Sequence, residues 1–192
     1  MTPERLELIY EPNSVVYDDI VLSKQKILDD IYKDSDIFEI LNTTELQKRN
    51  APPEDYYNVS IFSFLKIPEA QSVVKNFLCF EVNNVEEVHS NSSMIRKRVV
   101  FRTISHQEQV DTPYGIDRQD LLALLIKERF NWSNVLGTQL RKVYDSGKVA
   151  ESGYYYRDIY FEQVVVNGLQ KSEMQNRLDI VGRDYYDSRR EV

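Results

Sequence analysis

The chain has 192 residues, 42% of them hydrophobic and 11% aromatic, so it can offset its ordering entropy by burial and is not a disordered segment. That length allows one main domain with an extra arm or two, but is short for two full domains. The net charge is -7 and uneven: residues 1–60 hold 13 acidic and 6 basic side chains, and the remainder holds 18 of each. A net negative surface repels duplex DNA, and Lys/Arg clusters go no further than short pieces such as Arg96-Lys97-Arg98, which argues against a dedicated nucleic-acid binder.

Residues 1–17 read as an N-terminal arm. Met1 to Leu8 lack a basic start followed by an apolar run, and no stretch approaches the length of a membrane span, so the expectation is a cytosolic, soluble product without a membrane partner. From Asp18 to Leu41, the spacing of Ile20, Ile27, Leu28, Ile31, Ile37, Phe38, Ile40 and Leu41 predicts two short helices. Ser23 is available to cap one turn, and Lys33-Asp34-Ser35-Asp36 separates the two. Asn42 to Tyr57, with Pro52-Pro53, reads as a loop.

Three strand candidates follow: Val59 to Leu65, Phe77 to Val82 and Lys97 to Ile104. They are separated by Pro68 and by the polar stretch Asn83 to Ser93, and are expected to be antiparallel neighbours. The single cysteine, Cys79, lies in the apolar run Phe77-Leu78-Cys79-Phe80 and reads as a buried small hydrophobe in a reducing compartment. Thr112-Pro113-Tyr114-Gly115 is a turn cluster ahead of the clearest helix, Asp117 to Phe130, with Asp117 as N-cap and Asp120 favouring the helix dipole. Its apolar stripe, Leu121, Leu122, Leu124, Leu125, Ile126 and Phe130, is wide enough to require cover by a sheet or a neighbouring subunit.

Gln139 to Tyr144 and Tyr154 to Val166 form a candidate hairpin whose long tip holds Asp145-Ser146-Gly147-Lys148. Beyond Asn167 the chain turns polar and reads as a C-terminal extension, with Tyr185-Tyr186 favouring docking on a partner. Taken together, the elements predict an α+β fold. A mostly antiparallel sheet packs against one long helix over about 117–130, within a domain spanning 18–166. The 13 tyrosines fit two uses equally, as interface residues or as outer-face residues of strands.

Catalytic patterns are sparse. His89 and His106 stand in different segments without metal-ligand spacing, Gly147-Lys148-Val149 lacks the Ser/Thr and the earlier glycine of a phosphate loop, and no G-x-S-x-G occurs. A small nuclease, the rival reading for an α/β chain rich in carboxylates, needs an acidic-x-Lys pair on a strand, and neither Asp-x-Lys nor Glu-x-Lys is present. The pairs Asp18-Asp19, Asp29-Asp30 and Glu86-Glu87 read as solvated charge. No enzyme activity, cofactor or metal is therefore expected.

The order of elements carries a resemblance. An N-terminal helix leads to Ile61-Phe62-Ser63-Phe64-Leu65 and Ile67-Pro68-Glu69-Ala70-Gln71. Next come Phe77 to Val82, the strand Val99 to Ser105, Gly115-Ile116-Asp117-Arg118-Gln119-Asp120, a Leu-rich helix and a late Tyr/Phe strand pair. Over residues 20–166 this resembles the tail-terminator and head-tail joining proteins of tailed phages. The resemblance implies a virion neck subunit, assembled in the host cytoplasm, that forms a ring by head-to-tail contacts. Six copies are implied, with a tail-tube protein and a head connector or stopper as partners and DNA only as cargo through the lumen. A head-completion or stopper protein, or another neck adaptor, is the alternative. Gly115, Arg118, Asp120, Tyr144, Tyr154, Tyr185 and Tyr186 are the candidate interface residues. Residue chemistry alone also allows Gly115 as a turn former, Arg118 as a surface side chain and Asp120 as a dipole-compensating acid.

Overall fold

Asp34 sits just before Ser35 with extended backbone, and its carboxylate accepts from the Asp36 N–H at 3.1 Å, which starts a new helix directly after the previous one ends. In the computed structural model, which describes residues 19–66, 76–88, 91–149 and 153–166 together with Pro3 and Glu7, the two expected helices are α1 (Asp19–Ile31) and α2 (Ser35–Leu41). The second stops at Asn42, whose left-handed backbone (φ 49°) lets its N–H reach Glu39 O. Ser23 is not a cap. It lies inside α1, donates to Asp19 O at 2.6 Å and accepts from the buried Lys97 ammonium at 3.0 Å.

The expected loop from Asn42 to Tyr57 is partly ordered into helix. A five-residue helix, α3 (Thr44–Lys48), is tied back to α2 by Gln47 Nε2, which donates to the Phe38 and Glu39 carbonyls. A 3₁₀ turn spans Pro53–Tyr56. Pro53 fits its first position because no N–H is needed there, so the proline pair starts an element instead of preventing one.

The five-stranded sheet runs in the order β1 (Ile61–Phe62), β2 (Asn76–Val88), β3 (Asn91–His106), β5 (Tyr154–Val166), β4 (Arg141–Val149). The α+β class holds, with two departures. First, β1 pairs parallel to β2 through Ile61↔Leu78, whereas the other neighbours are antiparallel. Second, no single long helix dominates, because α4 (Arg118–Phe130) and α1 have 13 residues each.

Much of the polar stretch between β2 and β3, and of the expected long tip of the late hairpin, is strand. Asn83 to Val88 and Asn91 to Ser93 belong to β2 and β3, and Asp145 to Lys148 belong to β4. Backbone pairing carries a strand past the point where burial stops, so polar residues do not end it. Thirteen strand residues span about 44 Å and thirteen helical residues about 20 Å, so β2, β3 and β5 outreach the helix layer.

The core lies on one sheet face. Leu78, Phe80, Val82, Val99, Phe101, Ile159 and Phe161 meet Ile27 and Ile31 of α1, Ile37 and Leu41 of α2, and Leu122, Ile126 and Phe130 of α4. Phe101 stands at its centre, with ring centroids 4.8 Å from Phe130 and 5.8 Å from Phe161. The α4 stripe is narrower than expected, since Leu124 is exposed and Ala123 takes a buried place. A smaller cluster of Phe62, Phe77, Cys79, Ile104 and Tyr154 forms on the opposite face. Cys79 is fully buried there, as expected, and burial pushes its thiol up to about 11. The arms 1–17 and 167–192 lie outside the described residues, apart from Pro3 and Glu7.

Candidate functional site

Between β3 and α4 the chain makes a loop whose conformation is held from inside. His106 is buried and its Nδ1 accepts from the Glu108 N–H at 3.3 Å, opening a 3₁₀ turn at Gln107–Gln109. The turn Thr112 to Ile116 closes through Gly115 N–H to Thr112 O at 3.2 Å and Thr112 Oγ1 to Ile116 O at 2.6 Å. Gly115 has φ +69°, the left-handed region where a Cβ is strained although space around it is open.

Arg118, in the first turn of α4, fixes the base of this loop. Nε donates to Gln109 O at 2.7 Å, Nη1 to Ile40 O at 2.7 Å and Nη2 to Asp111 O at 3.1 Å. Burial lowers its pKa from the ordinary arginine value. The loop therefore presents Tyr114 (61% exposed) and Ile116 (40% exposed) from a fixed base, with the Tyr114 hydroxyl 3.4 Å from the Glu39 carboxylate of α2. Asp111 and Asp117 are exposed beside them.

A network of charges joins α4 to the sheet. Asp120 pairs with Arg157 of β5 at 2.8 Å, Arg157 also donates to Asp145 of β4, and Lys127 reaches Asp145 at 3.0 Å. Burial raises the pKa of Asp145, but hydrogen bonds from Arg157 and Lys127, with the attraction of their charges, outweigh this and hold the carboxyl below its usual value.

The outer sheet face, away from the helices, has a different chemistry. Strand alternation brings Arg96, Arg98 and Arg102 of β3 to one side, opposite Glu162 and Asp158 of β5. Arg102 grips Asp158 through two hydrogen bonds of 2.6 and 2.9 Å, and both Arg96 and Arg98 reach Glu162. Tyrosines flank the ladder: Arg102 lies over Tyr156 at 4.7 Å, Arg98 over Tyr160 at 5.6 Å, and Tyr160 packs on Tyr144 with centroids 4.7 Å apart. Register adds Arg141 (opposite Glu162), whose guanidinium lies over the Trp132 ring at 5.3 Å, and Lys148 (opposite Tyr156) to this face, and Lys66 lies over the Phe62 ring. Among the described side chains the face thus carries six cations, Lys66, Arg96, Arg98, Arg102, Arg141 and Lys148, against Glu81, Asp158, Glu162 and, at its end beside His106, Glu108.

The expected interface residues fall in three kinds of place. Gly115 and Tyr144 are exposed, and Asp120 is half-buried in its pair with Arg157. Arg118 and Tyr154 are inside the subunit, which corrects the expectation that they face a neighbour. Arg118 serves three backbone carbonyls, while Tyr154 is fully buried between His106 (4.8 Å) and Phe77 (6.4 Å). Tyr185 and Tyr186 lie outside the described residues. Missing from the expectation were Tyr114, Ile116 and the arginine ladder. The ladder had a signal in the sequence, because residues 96, 98 and 102 share one strand face.

Among the described residues, no group of three or more His, Cys, Asp and Glu is placed to hold a metal ion, and no helix is long and apolar enough to cross a membrane. The family model YomW matches residues 34–163, which is 130 of 192 residues. The chain belongs to the YomW family. This is a phage-derived family, and its match takes in α2 to α4 and nearly all of the sheet. A search of curated proteins gives no match. Among solved structures, a chain of the virion of a native gene transfer agent particle is similar, with a TM-score of 0.42 and 8% sequence identity, over 68% of this chain and 92% of that one.

Proposed function

We propose that this YomW-family chain is a non-enzymatic structural protein of a phage-type virion that works by assembling into a ring at the neck. The ring would cap the tail tube and join it to the head connector, with DNA passing through its lumen. The virion role is supported by membership of a phage-derived family over residues 34–163.

One observation carries the ring reading: the subunit has two surfaces of unlike chemistry, an acidic loop on the helix side and a basic, tyrosine-lined face on the other side of the sheet. Surfaces that differ in this way suit a head-to-tail contact between copies, and head-to-tail contacts make a ring where the rotation between copies closes. The cluster of Asp120, Arg157, Asp145 and Lys127 is engaged in holding α4 to the sheet, and that of Arg129, Asp30 and Asp34 in holding α4 to the end of α1.

The test is the mass of the purified chain by light scattering across concentration, with negative-stain imaging, alone and with tail-tube protein. A closed ring of defined subunit number is expected. A strict monomer that also ignores the tube would sink the reading.

A further inference from the structure

We propose that the Tyr114 loop of one copy seats on the outer sheet face of the next copy. Tyr114 and Ile116 would lie against Tyr144 and Tyr160, and Asp111 and Asp117 would face Arg141 and Lys148. The inference rests on the ring reading and names the two surfaces that meet.

The two surfaces match in shape of chemistry and in charge. The loop offers an exposed aromatic and an exposed β-branched side chain, with acids on its rim. The sheet face offers a tyrosine pair with centroids 4.7 Å apart, bordered by cations. An apolar centre within a complementary charged rim is the usual anatomy of a specific contact.

Geometry makes the contact directional. The loop belongs to the helix side, since the Tyr114 hydroxyl meets Glu39 of α2, while Tyr144 and Tyr160 point away from the helices. A chain cannot bring its own loop to its own outer face through the sheet, so a neighbour must supply it. Arg118 holds the loop's base in the isolated subunit, so little ordering is left to lose on docking.

The identity of the occupant follows from the same face. Asp158 and Glu162 stand within the arginine ladder, and Arg98 and Arg102 are already committed to them. A polyanion laid along the ladder would meet those carboxylates, whereas a tyrosine-bearing loop with two acids can take Lys148, and Arg141 beside its Trp132 ring, and leave the ladder intact.

A charge-swap assembly experiment on the full chain tests this. One variant carries Arg141→Glu with Lys148→Glu, and the other carries Asp111→Lys with Asp117→Lys. Each alone is expected to weaken assembly by about tenfold or more, since like charges would then meet at the contact. An equimolar mixture of the two should recover the wild-type mass, because each copy then finds its opposite on both sides, and circular dichroism confirms that both variants are folded. Wild-type assembly left unchanged by either variant would overturn the proposed contact while leaving the ring reading standing. Failure of the wild type to assemble, with or without tube protein, would overturn both. Duplex DNA binding by the wild type that is lost in the Arg141/Lys148 variant, with assembly unaffected, would assign the face to nucleic acid and overturn the proposal.

Discussion

Arg118 satisfies carbonyl oxygens of three residues, Ile40, Gln109 and Asp111, that belong to two separate segments of the chain. A lysine supplies the charge but not the fork, so it cannot reach all three at once. Arg118→Ala is expected to lower stability by about 3 kcal/mol, as buried acceptors lose a charged donor. Arg118→Lys should recover only part of that loss in chemical denaturation, and full recovery would show that charge alone suffices. Tyr154 acts by bulk. Filled between Phe77 and His106, its truncation in Tyr154→Ala leaves a cavity and is expected to lower stability by about 4 kcal/mol, read from the same denaturation curves. Neither role could be read in the sequence. An arginine in the first turn of a helix and a tyrosine opening a strand are ordinary surface residues until the fold shows what packs on them.

Among the elements, the edge strand β4 is held by its backbone ladder to β5 and by charge more than by burial, because most of its side chains are exposed while Asp145 bonds Lys127 of α4 and Arg157 of β5. Holding the Asp145 carboxyl below its usual value means that the folded state favours the ionised form. Its contribution is therefore present in full above the unfolded-state pKa near 4 and is lost as pH falls through the lower folded-state value. Stability is expected to fall in that acid window, and Asp145→Asn should flatten the fall while lowering stability at neutral pH. An unchanged acid limb in the variant would place the loss on other carboxylates. The strands themselves were legible where apolar residues recur, as in Phe77 to Val82 and Tyr154 to Val166. Their ends were not, because Asn83 to Val88 and Asp145 to Lys148 are held by pairing that leaves no trace in polarity. The parallel placement of β1 was equally hidden, since strand direction depends on the route of the connection and not on the residues of a two-residue strand.

At the scale of the whole molecule, the described residues have two apolar clusters on opposite faces of one sheet, and the question is whether they unfold as one unit. The larger includes Phe80 and Phe101, the smaller Phe77, Cys79 and Ile104, and these residues alternate along the same two strands, β2 and β3. Neither cluster can lose its packing without releasing strands that the other needs, so a single cooperative transition is expected. Cys79 gives a direct reading of the smaller cluster. It is fully buried and its thiol is pushed up to about 11, so it should resist thiol reagents at neutral pH until the outer face opens. Helical circular dichroism reports the larger cluster, because α1, α2 and α4 all pack there. In a denaturant series the two signals are expected to share one midpoint. Labelling of Cys79 well before helix loss would instead show that the outer face opens by itself. The surface on which Tyr144 and Tyr160 are displayed would then be a separable layer and not a rigid wall.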